Sequence, residues 1–327
     1  MKIAVIGFGS IGKRHVQNLL SIPHMQIVIC TKQKIVNPSP DRIRIVSSIS
    51  ECLKEKYDVG IIANVSSLHV PIAIKLARSG VDLFIEKPLS NSLKQIKDLA
   101  ALVRKKNIIT QMGCQFRFHK CIKEIKQLIL SKKIGNVISV RVECGSFLPD
   151  WHPYEDYTKS YAARDDLGGG VVLTNIHEID YLHWFFGEVL EVFSVTGKYS
   201  DLKISADDLS VAIIKFKNNV IAELHLDYFQ KPEFRSCKLI GTKGTIYWNS
   251  ETNTIMLHDN KKNKWIKVLE ESNYDRNYMF KEELVHFLSC VRKRKTTINP
   301  LEIDGIKTLK IGLAIIKSSR TKKVIKL

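Results

Sequence analysis

Residues 2–20, KIAVIGFGSIGKRHVQNLL, decide how the rest of the chain is organised. Lys2 to Ile6 is a short apolar, β-branched run, the composition of a strand buried on both faces of a parallel sheet. Gly7-Phe8-Gly9-Ser10-Ile11-Gly12 follows without a spacer, and Lys13 to Leu20 then shows helical spacing at Val16, Leu19 and Leu20. Strand, G-x-G-x-x-G turn and helix in direct succession make the dinucleotide-binding fingerprint. Gly7 permits the tight turn, Gly9 lets the backbone approach a pyrophosphate, and Gly12 lets the helix pack on the strand. The phosphates belong at the helix N-terminus, where free N–H groups and the helix dipole favour an anion. An ordinary βα turn is the plain alternative, and the flanking strand and helix decide against it.

Beyond the fingerprint, short apolar segments alternate with amphipathic ones. Strands are expected at 25–29, 43–46, 58–63, 81–85 and 108–112, with helices at about 67–79 and 92–106. That alternation predicts an α/β fold: a doubly wound parallel Rossmann sheet over residues 1–118. The pattern then changes. After a helix at about 120–131, the run 137–147 alternates, with Ile138, Val140, Val142 and Cys144 on one face and Ser139, Arg141 and Glu143 on the other. A loop rich in aromatic and charged residues spans 148–166, and a continuous helix is expected over 170–186. Strands near 188–199, 208–216, 220–229, 234–240, 244–249 and 253–258 follow, with Asn218-Asn219 as a hairpin turn. Helices at about 276–292 and 302–318 close the chain. Residues 119–327 thus read as a second, α+β domain with a largely antiparallel open sheet, serving substrate binding and oligomerisation. The exposed face of such a sheet needs cover, which predicts a homodimer or homotetramer built through it.

Composition narrows the class. The chain has 327 residues, enough for two cores, and an apolar fraction of 44%. No apolar run is long enough to span a membrane, and no secretory leader is read at the N-terminus. Seven scattered cysteines without a C-x-x-C read as reduced thiols of a cytoplasmic protein, and no Cys/His spacing suggests a metal. The net charge of +18 is uneven: 101–140 and 281–327 each carry +8, whereas 141–190 carries −6. The basic residues lie along helices and tails without interleaved aromatics, so a Lys-rich surface that attracts anionic cofactors is favoured over nucleic-acid binding.

Two constellations can carry chemistry. Glu86-Lys87-Pro88 ends the fifth strand, and ligands of open α/β sheets bind outside the carboxyl ends of strands. A Lys beside an oxidised nicotinamide has its ammonium form disfavoured, which makes it a base. The plain alternative is a solvated Lys at a strand end. The second constellation is Gly168-Gly169-Gly170 leading into Thr174, His177, Glu178 and Asp180. Three glycines imply close approach to a ligand or to another chain segment. On one helix, Thr174, His177 and Asp180 share a face, so Asp180 can orient a proton-shuttling His177. A satisfied core histidine is the plain alternative.

With these residues in place, the chain resembles the glucose–fructose oxidoreductase and inositol dehydrogenase family (Gfo/Idh/MocA) over essentially its whole length. The resemblance rests on GFGSIG at 7–12, I-A-x-x-x-S-L-H at 62–69, EKP at 86–88, MGCQFRFH at 112–119, GGG…HEID at 168–180 and DGIKTLKIGLAIIKSS at 304–319. It implies an NAD(P)-dependent oxidoreductase moving a hydride to or from a hydroxyl or keto carbon of a sugar or nucleotide-sugar. Lys87 becomes the general acid/base and His177 its partner. Ala63, Asn64, His69, Glu86, Gln115 and Arg117 join the cofactor side, and Lys87 and Arg117 also face substrate. The loop holding Trp151, His152, Tyr154, Tyr157, Tyr161 and Arg164 resembles a subset tied to surface-polysaccharide and nonulosonic-acid sugar pathways. Its aromatic faces suit a pyranose ring, and Arg164 suits a phosphate. Interdomain packing is the plain reading of that loop. Relatives carry an Asp where this chain has Thr174. The alternatives are an inositol-type cyclitol dehydrogenase and a non-catalytic, cofactor-binding regulator.

Cofactor preference is read from the end of the second strand. NAD-specific folds carry an acid about twenty residues beyond the glycine turn. Here Cys30-Thr31-Lys32-Gln33-Lys34 has none. Thr31 can bond a phosphate oxygen and Lys32 can supply charge, which predicts NADP(H) over NAD(H).

Overall fold

A computed structural model describes all residues, 1–327. In chain order it contains β1 (Lys2–Ile6), α1 (Ser10–Leu20), β2 (Gln26–Cys30), β3 (Ile43–Val46), α2 (Ile49–Cys52), β4 (Val59–Ile62), α3 (His69–Arg78), β5 (Asp82–Glu86), α4 (Ile96–Lys105) and β6 (Thr110–Gly113). There follow α5 (Lys120–Leu130), β7 (Val137–Gly145), α6 (Val171–Thr174), α7 (His177–Phe186), β8 (Val189–Gly197), β9 (Leu209–Phe216), β10 (Ile221–Asp227) and β11 (Phe234–Gly241). The last elements are β12 (Gly244–Asn249), β13 (Thr254–Asp259), β14 (Lys264–Glu270), α8 (Arg276–Lys293), α9 (Ile306–Thr321) and β15 (Ile325–Lys326). No helix is long and apolar enough to cross a membrane.

Two compact units emerge, Met1–Cys114 with Asn277–Ile306, and Gln115–Arg276 with Lys307–Leu327. The first holds a six-stranded parallel sheet in the order β3-β2-β1-β4-β5-β6. Its strands are apolar on both faces because helices cover both: Ile3, Val5, Ile27, Ile29, Val59, Ile61 and Phe84 are all buried. The segment 277–306, grouped with the second domain on sequence grounds, packs in this unit. Leu284, Phe287 and Leu288 of α8 complete the core, with Phe287 edge-on to Phe84 at 5.6 Å.

The second unit holds a nine-stranded sheet in the order β14-β13-β12-β11-β7-β10-β9-β8-β15. It is antiparallel except where β7 and β10 run parallel. Alternation sets its two faces. Ala212, Ile214 and Phe216 of β9 point into the core, while Val211 and Ile213 point out. With Phe193, Val195 and Ile221 they make an exposed apolar face. α9 ties to the sheet where the Ser194 hydroxyl donates to the carbonyl of Ile315 at 2.6 Å.

Three sequence expectations need correction. Ile138 does not share the buried face of Val140: it is the extra residue of a bulge in β7 opposite Ile240 and Gly241 of β11, left out of the pairing and exposed. The expected helix over 170–186 is two helices, because Asn175 (ψ 34°) leaves the helical conformation after α6. Strand β14 was not foreseen at all.

Candidate functional site

In the first unit, the predicted cofactor residues gather at the carboxyl edge of the parallel sheet. Gly7 follows β1 at φ +100°, and a side chain there would stand 2.6 Å from the carbonyl oxygen of Ala63, which follows β4. At Gly12 a Cβ would lie 2.2 Å from the Gly7 carbonyl, so helix and turn meet backbone to backbone. Gly9 differs, since a Cβ there would meet nothing within 4 Å. Gly9 also caps α1, and no side chain accepts a bond from the first turn. An open approach to uncapped amides is what a dinucleotide pyrophosphate requires, so these residues fit the group. Ser10 is exposed, and Phe8 and Ile11 pack on the core beneath.

At the end of β2, the Thr31 hydroxyl accepts from the Gln33 amide at 3.1 Å and Lys32 is exposed. At the end of β4, His69 is buried with Nε2 2.9 Å from the Asn64 carbonyl and Nδ1 2.8 Å from that of Pro88. Burial pushes the His69 pKa down. Glu86 ends β5 and is buried, with Oε1 2.6 Å from His15 Nε2. Lys87 follows, half-buried, and its peptide to Pro88 is cis.

The second unit assembles a different cluster. The segment Gln115–Phe118, a single 3-10 turn, is wholly buried. His177 opens α7 and packs on Phe116, ring centroids 5.1 Å apart. His119 stacks on Phe116 at 5.5 Å, and the Arg235 guanidinium lies 4.3 Å from the Phe116 ring centre. Arg235 in turn meets the buried Glu178 at 2.8 Å. Asp180 grips Arg117 in a two-bond fork, Nε–Oδ2 2.8 Å and Nη2–Oδ1 2.9 Å. Arg117 is fully buried there, with its Nε and Nη2 both taken by Asp180.

Thr174 ends α6 and is not on the helix of His177 and Asp180, so the shared-face expectation fails for it. Its hydroxyl neighbours Tyr228, whose phenol burial pushes well up. Two of the three glycines closely approach other chain segments. Gly169 leaves no room for a Cβ against the carbonyls of Tyr161, Ala162 and Arg164, and Gly170 (φ +101°) lies against Asp207, which accepts from the first amides of α6.

The aromatic loop does not converge on one point. The Trp151 indole donates to Ser146 at 2.9 Å and meets Tyr228 edge-on. Exposed Tyr154 pairs with His152 at 3.1 Å, and the Tyr157 hydroxyl accepts from the Lys203 amide. Tyr161 is half-buried. Arg164 is exposed and forks onto Asp166 at 3.0 and 2.6 Å, an acidic partner that offsets the charge expected to meet phosphate. Phe116, Arg235 and His15 were not singled out from sequence.

Residues 1–114 match the family described as "Oxidoreductase family, NAD-binding Rossmann fold", and residues 126–327 match "Oxidoreductase family, C-terminal alpha/beta domain". The chain belongs to this family. As a member of the GFO_IDH_MocA oxidoreductases it carries the NAD-binding Rossmann fold, and it is an oxidoreductase. Among curated relatives it is 25% identical to scyllo-inositol 2-dehydrogenase (NAD(+)) of Bacillus subtilis, covering 98% of this chain and 94% of that one. It is likewise 25% identical to myo-inositol 2-dehydrogenase of Thermotoga maritima, over 100% and 98% of the two chains. Among solved structures it superposes on levoglucosan dehydrogenase in complex with NADH, with a TM-score of 0.87 and 18% identity, over 100% and 98% of the two chains. That likeness concerns the fold.

Proposed function

We propose that this oxidoreductase interconverts a hydroxyl and a keto carbon of a sugar or nucleotide-sugar, with Lys87 as the general acid/base. The observation that carries the reading is the place of Lys87, directly after β5 at the carboxyl edge of the sheet whose first strand bears the open glycine turn. The nicotinamide, when bound, supplies the hydride acceptor or donor. Gly7, Gly9 and Gly12 give the backbone its close approach, and the uncapped first turn of α1 binds phosphate. In the oxidative direction the Lys87 amine takes the hydroxyl proton at Nζ, and His177 serves as the second proton-handling group. A positioned acid/base of this kind contributes about a hundredfold to ten-thousandfold in rate.

NADP(H) is the favoured cofactor in this reading, supported by Thr31 and Lys32 where an acid would select NAD(H). The exposed apolar face formed by Phe193, Val195, Val211, Ile213 and Ile221 supports self-association through the second unit's sheet. Seven buried cysteines, none in a disulfide, support a reducing, cytoplasmic setting.

A cyclitol substrate is the second reading, favoured by the two inositol dehydrogenases among the relatives. Incubation with NAD⁺ or NADP⁺ and a panel of sugars, nucleotide-sugars and cyclitols, read by reduced-cofactor absorbance, tests both. Turnover of a sugar or nucleotide-sugar supports the proposal, and turnover of cyclitols alone supports the second reading. Tight cofactor binding with no turnover of any member contradicts both and favours a regulator.

A further inference from the structure

We propose that two buried histidines position Lys87 from either side, His15 through the Glu86 carboxylate and His69 through the carbonyl of Pro88. The inference rests on the reading of Lys87 as the acid/base.

The two contacts bracket a single residue. On one side, His15 lies three residues after Gly12, in the second turn of α1, and its Nε2 lies 2.6 Å from Glu86 Oε1. Both side chains are buried, and the imidazole is further fixed by its edge-on contact with Phe84 at 5.0 Å. Beneath Glu86, on β6, stands Gly113, where a Cβ would come within 2.8 Å of Oε2. The missing side chain is what lets the carboxylate lie flat against the sheet and reach His15. A bond between a carboxylate and a ring N–H in so dry a place is of the charge-assisted kind, short and directional.

On the other side, His69 opens α3 and its Nδ1 lies 2.8 Å from the Pro88 carbonyl. Its Nε2 lies 2.9 Å from the Asn64 carbonyl, in the loop after β4. Both neighbours are acceptors, while a neutral imidazole has a single N–H to give, and we place it on Nδ1, where it donates to the Pro88 carbonyl. Glu86 and Pro88 are therefore each tied to a helix that packs on the sheet, and the backbone of Lys87 has little freedom between them. Neither histidine needs to touch a reacting atom. Each acts by keeping the Lys87 amine where a proton transfer is short, and a displacement near 1 Å at a reacting group costs on the order of a hundredfold.

The two ring nitrogens used are different, and that gives the test its shape. Gln places an amide N–H about where Nε2 stands, whereas Asn places one about where Nδ1 stands. We expect His15→Gln to keep kcat within about threefold and His15→Asn to lower it by about tenfold to a hundredfold. The order reverses at the other position, with His69→Asn retaining activity and His69→Gln losing it. KM for the sugar stays within about threefold throughout, because the loss lies in positioning. Thermal unfolding of each variant identifies any that fails to fold, and the retained variants keep the comparison open. Each losing substitution is also made in a Lys87→Ala background, where it has no further effect on kcat if it acts through Lys87. Equal losses for Gln and Asn, wild-type kcat in all four variants, or a full additional loss on top of Lys87→Ala would overturn this inference while leaving Lys87 as the acid/base. Near-wild-type turnover of Lys87→Ala itself would instead remove the reading on which it rests.

Discussion

Arg117 and Asp180 hold one another by two parallel bonds of 2.8 and 2.9 Å, and neither side chain exceeds 1% exposure. The pair joins the buried turn after β6 to the first turn of α7, the helix that His177 opens. Asp180 is thereby drawn toward Arg117, where sequence spacing alone had it orienting His177. The Thr308 hydroxyl of α9 adds a third contact at 3.4 Å. The fork fixes α7, and through it the position of His177.

Asp180→Asn leaves a buried guanidinium without its counter-charge, and removal of one partner from a buried pair costs about 3–5 kcal/mol. Urea unfolding of the purified variant should show a loss of this size. A loss below about 1 kcal/mol would show that the fork does not hold the helix.

The parallel half of the fold was legible because β1, β2, β4 and β5 each carry an apolar run buried on both faces and ending in a glycine or polar turn. Lys87 was found for the same reason, since it sits where such a run stops. Strand β14 escaped because it is an edge strand whose residues are nearly all exposed, so Lys264 to Glu270 shows no buried face to read. The break at Asn175 escaped because Val171 to Phe186 keeps helical apolar spacing across it, and only the backbone turn at Asn175 interrupts the ladder. The Arg235–Glu178 contact and the His15–Glu86 contact join residues 57 and 71 positions apart, which no local pattern encodes.

Cofactor choice should respond to Lys32. Lys32→Glu places an acid where the ribose 2′-OH is read in NAD-selective folds and repels a 2′-phosphate. The ratio of NADP⁺ to NAD⁺ affinity, measured by fluorescence titration, should fall by about tenfold or more, on the order of 1.4 kcal/mol. An unchanged ratio would remove Lys32 from cofactor selection.

His119 should make the fold acid-sensitive. Burial, with the Arg235 charge behind it, pushes its pKa down to about 3. An unfolded histidine titrates near 6.5, so between about 6.5 and 3 the unfolded chain binds the extra proton and stability falls as pH falls. His119→Phe, which keeps the ring stacked on Phe116, should flatten this limb by up to about 1.4 kcal/mol per pH unit. An identical pH dependence of unfolding in the variant would show that His119 titrates normally.

Self-association should depend on the exposed sheet face. Phe193 and Ile213 are direct neighbours across β8 and β9 and both point outward. A Phe193→Glu, Ile213→Glu double variant should run as a monomer by light scattering while the wild-type chain runs as a dimer or tetramer. A wild-type monomer, or a variant with unchanged mass, would contradict assembly through this face.

The most direct test of the account is the turnover of Lys87→Ala on whichever panel member the wild-type enzyme oxidises. With the acid/base gone and the glycine turn intact, kcat should fall at least about a hundredfold while cofactor affinity stays within about threefold. Turnover near the wild-type rate would contradict the assignment of Lys87, and with it the mechanism proposed for this chain.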